Sequence, residues 1–252
     1  MISIICPTYN SEKTIKNLIN SIETQSYKNY EVIFVDKFSS DKTKELVNNS
    51  KIEEKYLYEK LDNGIYDAIN YGISKANFNW IWILGSDDVI YKSNTIEFIS
   101  KEIEKEQDDK IVAIYGKVIC LSAEERYNYE FNYNDHFIKS LCQQAIIYRK
   151  EALINKNGFK TKYITTADYV LNLELLSDKK NKFKYIKEPI SLYNERGASF
   201  RIKDKNFNRD SLSIRLRTIG TEVKKHLLIK IFIGRKGIIY TPGEINLIKH
   251  LS

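Results

Sequence analysis

The chain has 252 residues, a net charge of +7, 42% hydrophobic and 29% charged residues, which suits one α/β domain with a full core and a short appendage. Three Pro and ten Gly argue against long linkers, and three cysteines without a C-x-x-C pair argue against a disulfide framework. His136, His226 and His250 lack zinc-ligand spacing, residues 1–5 are too short an apolar run for a signal peptide, and no stretch reaches the roughly 18 apolar residues of a membrane span. A reducing cytoplasm is therefore the expected setting.

Residues 2–6 are apolar and run into Pro7-Thr8-Tyr9-Asn10, a buried strand entering a polar loop. Ile15, Leu18, Ile19 and Ile22 then recur at helical spacing, with Asn10 and Ser11 as the expected caps. A second strand is predicted over 31–36, and Ser39, Ser40 and Asp41 are placed to cap a short helix after it. Ile65, Ala68, Ile69 and Ile73 mark a helix opened by Asn63-Gly64. Residues 80–84 read as another buried strand, ending in Gly85-Ser86-Asp87-Asp88; a helix is expected from 94 to about 105 and a strand over 111–115.

Apolar strands alternating with amphipathic helices predict a mostly parallel sheet flanked by helices, with right-handed crossovers. Ligands bind such sheets beyond the carboxyl ends of the strands. Thr8-Tyr9-Asn10, Asp36 and Asp87-Asp88 all follow a strand at that end. Any one of them is also what a wet strand end looks like; three together predict a site. No G-x-G-x-x-G, no G-x-x-x-x-G-K-[ST] and no Gly-rich loop with a Pro-Lys pair follows the first strand. These absences disfavour the usual dinucleotide fold, P-loop NTPases and sugar-nucleotide pyrophosphorylases. A site that meets phosphate through carboxylates needs a cation between them, and Mg²⁺ or Mn²⁺ is held by one or two carboxylates plus substrate phosphates.

Four motifs in order carry a resemblance. They are residues 4–10 (Ile-Ile-Cys-Pro-Thr-Tyr-Asn), Val35-Asp36 with Ser39-Ser40-Asp41 and Thr43, residues 62–72 (Asp-Asn-Gly-Ile-Tyr-Asp-Ala-Ile-Asn-Tyr-Gly), and Leu84-Gly85-Ser86-Asp87-Asp88. Over roughly residues 1 to 200 the chain resembles the inverting family 2 glycosyltransferases, whose fold is GT-A. The resemblance implies transfer of a sugar from a nucleotide diphosphate donor, a UDP-hexose or UDP-N-acetylhexosamine, to a hydroxyl of a glycan acceptor, with Mn²⁺ or Mg²⁺ as cofactor. It implies that Pro7, Thr8 and Tyr9 frame the nucleobase and that Asp36 accepts the imide N–H of uracil. Asp87 would lie by the ribose or sugar, Asp88 would hold the metal, and Gly64, Asp67 and Asn70 would contact the donor. Asp67 and Asn70, three residues apart on a helix, share a face and read equally as a solvated surface. Lys37 and Phe38 depart from the small or acidic residue and Gly or Asn usual after the aspartate.

Farther along, residues 141–149 resemble the segment before the catalytic base, with Gln143 in place of a common His, and Gln143 and Gln144 are the implied acceptor contacts. Gly158-Phe159 and Thr165-Thr166-Ala167-Asp168 resemble the catalytic-aspartate stretch, so Asp168 is the implied base. Asp168 also reads as a cap for the helix of Tyr169, Val170, Leu173 and Leu176, and the two roles are compatible. Residues 188–199 resemble a closing strand and loop, from which Arg196 and Ser199 would reach the donor diphosphate unless the loop is an ordinary surface turn.

From residue 201 onward twelve Lys/Arg face four Asp/Glu, a balance of +8 that leaves −1 for the preceding 200 residues. The expected organisation is thus a catalytic domain, 1–200, with a donor-binding half over about 1–116 and an acceptor and base half over about 117–200, followed by a basic helical extension, 201–252. Residues 224–236 mix apolar and basic side chains as an anionic membrane interface requires, or as a terminal helix packed with its cations in water. The implied acceptor is a glycan on a polyprenyl diphosphate at the inner face of the plasma membrane. A protein or soluble acceptor, and a non-catalytic sugar-nucleotide-binding protein, are the competing readings; retention of both Asp88 and Asp168 speaks against the second. No nucleic-acid module is present, so no nucleic-acid partner is expected.

Overall fold

The computed structural model describes residues 1–120, 126–127, 140–193 and 203–218. Strand β1 (Ile2–Thr8) is buried along its whole length. Its alternate side chains enter two cores: Ile2, Ile4 and Cys6 pack on one face of the sheet and Ile5 on the other. A strand covered on both faces reads as a continuous apolar run rather than an alternating one, which is why its sequence gives a clean strand signal. β2 (Tyr30–Asp36) pairs parallel to β1, with Thr8 opposite Asp36. β4 (Trp80–Ile83) pairs parallel to β1 on its other side.

The edge beyond β2 is β3 (Lys55–Glu59), half exposed and parallel to it. Its sequence, Lys-Tyr-Leu-Tyr-Glu, carries charges at both ends and gives no apolar run, so this strand escapes the sequence prediction. Helices cover the faces. In α1 (Ile15–Glu23) the buried side is Ile15, Leu18, Ile19 and Ile22, as their spacing predicts. The helix starts later than the expected caps Asn10 and Ser11, because residues 11–14 make a turn first. In it the Ser11 carbonyl accepts the N–H groups of Thr14 and Ile15. The short α2 (Thr43–Asn48) is served by Asp41, whose Oδ1 accepts the Thr43 N–H at 2.9 Å.

The second half completes the same sheet. After β5 (Val89–Ile90) and α4 (Thr95–Glu104), β6 (Ile111–Cys120) runs five residues past its predicted end. β7 (Arg126–Tyr127) pairs with β6, and a 3₁₀ turn at Gln143–Ala145 leads into β8 (Ile146–Arg149), which wedges antiparallel between β4 and β6. α5 (Lys150–Asn155) and α6 (Ala167–Leu176) follow, then β9 (Lys182–Tyr193), parallel to β6 and paired with β5 beyond it. Among the described residues the order is β3-β2-β1-β4-β8-β6-β9-β5, with β8, β5 and the short β7 reversed. The sheet is mostly parallel, as the alternation predicts, and β8 joins the two halves without a break.

A last helix, α7 (Lys205–Thr218), begins the basic segment and packs on α6. Asp204 accepts hydrogen bonds from Thr165 N–H (3.1 Å) and Thr166 Oγ1 (3.0 Å), and Phe207 meets the rings of Tyr163 and Tyr169 edge-on. Ile214 is buried in the core. The described start of the segment after residue 200 is therefore fastened to the body, and residues 219–252, with the basic run 224–236, lie outside the described residues.

Helix α3 (Ile65–Lys75) rests directly on β1 at Gly72. A Cβ there would meet Ile5 Cγ2 at 2.5 Å, and Ile5 is β-branched and wholly buried, so it cannot swing away. Gly72→Ala should cost about 1–3 kcal/mol as an overpacked core does, measured as a drop in Tm by calorimetry. An unchanged Tm would show that α3 has room over the sheet.

Candidate active site

The loops leaving β1 and β2 are stitched together. Thr8 Oγ1 donates to Asp36 Oδ2 at 2.7 Å, Ser39 Oγ donates to the same oxygen, and the Ser39 N–H donates to Asp36 Oδ1 at 2.6 Å. Asn10 completes the seam, its N–H donating to Ser39 Oγ and its Oδ1 accepting the Ser40 N–H. Asn10 and Phe38 take positive φ (45° and 49°), a conformation strained for Phe and held by these bonds. The seam leaves Tyr9 60% and Phe38 54% exposed, two rings at the carboxyl ends of adjacent strands. Lys37 sits 5.9 Å from the Tyr9 ring and pairs with the buried Asp62 at 3.3 Å.

The turn after β4 brings the acidic pair inward. Asp88 Oδ2 accepts the Gly85 N–H at 2.7 Å, while the Asp88 N–H closes on the Gly85 carbonyl at 3.1 Å. Any side chain at Gly85 would crowd both carboxylates: a Cβ would lie 2.9 Å from Asp87 Oδ1 and 3.2 Å from Asp88 Oδ2. Burial, with the charge of Asp87 added, pushes the Asp88 carboxyl up to about 8.

From the second half comes Asp168, in the first turn of α6 just inside Thr166, which holds the cap position. Burial raises its carboxyl above the ordinary range, opposed by the N–H of Tyr169 and by Tyr66. The Tyr66 hydroxyl donates to Asp168 Oδ1 at 2.9 Å.

The acidic pair, Asp168 and Tyr66 line one cleft of about 440 Å³. Of the residues singled out in the sequence, Pro7, Asp87, Asp88, Gln143, Gln144 and Asp168 line it. Thr8, Tyr9, Asp36 and Gly64 are not among its lining residues, and Arg196 and Ser199 lie outside the described residues. Asp67 and Asn70 are engaged with the protein itself. Asp67 Oδ2 takes Lys60 Nζ (2.9 Å) and the Asn63 N–H (3.0 Å), while the Asn70 amide grips both the N–H and the carbonyl of Phe159 at 2.8 Å each. Helical spacing places the two residues on one side of α3 but gives no sign of these partners.

Gln144 is fixed through its carbonyl, which accepts the Trp82 indole N–H at 2.9 Å. The Tyr148 hydroxyl lies 3.4 Å from Gln143 Oε1 and 2.8 Å from Asn172 Oδ1. A phenol has one proton, so it serves both neighbours when the Asn172 amide presents its NH₂ instead. Gln143 Nε2 remains a buried donor without a partner among the described residues, at the cleft wall. Tyr66, Thr165, Thr166, Cys142 and Tyr169 also line the cleft and were not singled out. Tyr66 shares the buried face of α3 with Ile69 and Ile73, so its periodicity reads as core; its hydroxyl was the signal of a polar duty.

Among the described residues no group of three or more His, Cys, Asp or Glu could hold a metal unaided. The acidic pair nevertheless fits a Mg²⁺ or Mn²⁺ whose remaining ligands are substrate oxygens and water. Asp88 Oδ2 is spent on Gly85, and the uncompensated repulsion between the two carboxylates is what a dication would relieve.

Residues 3–177 match the family model described as glycosyl transferase family 2. The chain belongs to that family. Over 222 residues it is 31% identical to the PGL/p-HBAD biosynthesis glycosyltransferase of Mycobacterium bovis BCG, covering 86% of each protein. Over 193 residues it is 29% identical to the Escherichia coli UDP-Glc:alpha-D-GlcNAc-diphosphoundecaprenol beta-1,3-glucosyltransferase WfgD, covering 71% of this chain and 70% of that one. Its fold is similar to that of Staphylococcus aureus TarS 1–349 in complex with UDP-GlcNAc, at a TM-score of 0.71 and 19% identity, covering 89% and 68% of the two chains. A longer TarS structure is spanned over 42% of its length. Glucosyl-3-phosphoglycerate synthase of Mycobacterium tuberculosis, in complex with Mn²⁺, UDP and phosphoglyceric acid, has a TM-score of 0.60 at 14% identity, covering 86% and 78%. The chain is thus a family 2 glycosyltransferase with a GT-A-like fold.

The raised Asp88 carboxyl in this transferase makes a prediction about its stability. Between the ordinary value of 3.8 and about 8, the unfolded chain has lost a proton that the folded chain keeps. Stability therefore falls as pH rises through that window, and the half-buried Asp168, also shifted upward, adds to the fall. A dication bound at Asp88 would take the proton's place. In chelator Tm should decline between about pH 5 and pH 8, and Mn²⁺ should raise it far more at the upper value than at the lower. Asp88→Asn should abolish the Mn²⁺ response. An Mn²⁺ increment that is equal at both pH values, or that survives in Asp88→Asn, would exclude this site for the metal.

Proposed function

We propose that this transferase moves a sugar from a uridine diphosphate donor to a hydroxyl of a glycan acceptor, with inversion at the anomeric carbon. The observation that carries the reading is the convergence of Asp87, Asp88 and Asp168, from the donor half (1–116) and the base half (117–200), on one cleft. Asp168 takes the proton of the acceptor hydroxyl as its oxygen attacks the sugar carbon from the face opposite the departing diphosphate. Desolvation strengthens it as a base, since a carboxylate out of water holds a proton more tightly. Asp88, with Asp87 beside it, would hold a Mn²⁺ or Mg²⁺, which when bound would supply Lewis-acid stabilisation of the charge on the departing diphosphate.

The base of the donor is placed against Pro7, Tyr9 and Phe38. Asp36 is wholly buried, and among the described residues its Oδ1 accepts one hydrogen bond, from the Ser39 N–H; its other lone pair is assigned to the imide N–H of uracil. Lys37 is bound to Asp62 and is assigned no phosphate. Gln143 offers its unpartnered amide N–H to the acceptor, with Gln144 beside it. Arg196 and Ser199 are assigned to the diphosphate, and Gly64 to the donor, while Asp67 and Asn70, bonded to Lys60, Asn63 and Phe159, brace the segments beside the cleft. The TarS and glucosyl-3-phosphoglycerate synthase structures hold UDP-GlcNAc and UDP and the Escherichia coli relative is named for UDP-Glc, which supports a uridine donor, and the lipid diphosphate in that relative's name supports a polyprenyl-linked acceptor. The +8 balance beyond residue 200 suits an anionic membrane surface, and hence a peripheral place at the inner face of the plasma membrane.

Two measurements test the reading. Asp168→Asn should lower turnover by about 10²-fold or more while calorimetric donor affinity stays near that of wild type; a parallel loss of both would make Asp168 a donor or structural residue. In competition for the donor site UDP should displace far better than GDP or CDP, and stronger displacement by GDP would reject the base pocket built on Asp36.

A further inference from the structure

We propose that Tyr66 is a positioning residue for the base, its hydroxyl holding the Asp168 carboxylate in place from the opposite half of the molecule. The inference rests on the reading of Asp168 as the base and extends it to a residue outside the acidic pair. Tyr66 and Asp168 are 102 residues apart in the chain, on α3 and α6, and their oxygens meet at 2.9 Å. Both line the cleft.

The phenol is itself immobilised. Its ring stacks on Phe159 with centroids 5.5 Å apart and planes 15° from parallel, and Tyr148 closes on Phe159 edge-on at 6.3 Å. Phe159 is in turn fixed by the Asn70 amide, one helical turn along α3 from Tyr66. Gly158 makes that grip possible: it takes φ +68°, and a Cβ there would collide with Asn70 Oδ1. One helix therefore holds the loop before α6 at two points and delivers a hydroxyl to the first turn of α6.

The surroundings of Asp168 give this hydroxyl a specific duty. Near it are Cys142 before the 3₁₀ turn and Tyr148 on β8; Tyr169 on its own helix gives it a backbone N–H, while the Tyr169 phenol meets Arg215 of α7. The thiol and the phenols are all pushed upward by burial and stay neutral at ordinary pH. Tyr66 is shifted upward as well, by burial and then by Asp168, so it remains a hydrogen-bond donor throughout. Among the described residues it is the side chain that donates to the carboxylate, and a donor stabilises the charged form against the pull of burial.

Tyr66→Phe removes the hydroxyl and keeps the stacked ring. The acidic limb of kcat against pH should move upward by about one pH unit or more. Turnover on the acidic side of the limb should fall about tenfold and recover toward wild type at higher pH, with the donor KM unchanged. A limb that stays in place, whether kcat is unchanged or lowered equally at every pH, would overturn the proposal. The carboxyl of Asp168 should also be titrated directly by ¹³C NMR in both proteins; a midpoint unmoved by Tyr66→Phe overturns the proposal while leaving the base reading intact. If instead Asp168→Asn retains full turnover, the base reading falls and the proposal with it.

Discussion

Two carboxylates whose charged forms are disfavoured govern the architecture of this site. Asp88 is buried and Asp168 half-buried, neither is paired with a cation among the described residues, and desolvation works against the charge on both. Burying a charge without a partner costs several kcal/mol, so a fold that does it twice in one cleft stores electrostatic potential for whatever enters. On the proposed reading, a dication beside Asp88 and an acceptor proton beside Asp168 would each satisfy one carboxylate. The surrounding backbone is shaped to this end, since Gly85 is a glycine where any Cβ would press on Asp87 and Asp88 together.

The cleft exists because two halves of the chain share one sheet. β1, β2 and β4 supply a parallel block whose carboxyl ends carry the Tyr9, Phe38 and Asp88 loops, and β8 enters beside β4 in the opposite direction. That reversal places the 3₁₀ turn before β8, with Gln143 and Gln144, next to the end of β4, where the Trp82 indole holds the Gln144 carbonyl. The same second half sends α6 back toward α3, and the Asn70–Phe159 and Tyr66–Asp168 contacts tie them. On the proposed reading, donor chemistry and proton transfer are built on separate elements joined at a few named contacts.

Much of this was legible in the residues. β1, β2 and β4 are buried on both faces and announce themselves as unbroken apolar runs, and the acidic pair at the end of β4 is recognisable by its place. The edge strand β3 was not legible, because an exposed edge needs no apolar run. The partners of Asp67 and Asn70 were hidden too: spacing on a helix says which residues share a face but not what packs against it. Tyr66 was passed over for the converse reason, since an aromatic residue in register with Ile69 and Ile73 counts as core until its hydroxyl is given a partner. The basic composition after residue 200 suggested an appendage, yet Phe207 and Ile214 anchor α7 through a few apolar contacts that a charge count does not register.

The central claim is that the cleft binds a donor diphosphate through a dication at Asp88, with Asp168 left facing the acceptor side. Crystals grown with Mn²⁺ and UDP, measured at the manganese absorption edge, test it directly. The anomalous map should show one strong peak within bonding distance of the Asp88 carboxylate, with diphosphate oxygens completing its coordination and Asp168 outside it. A manganese peak coordinated by Asp168, or a diphosphate bound away from Asp88, would contradict the account.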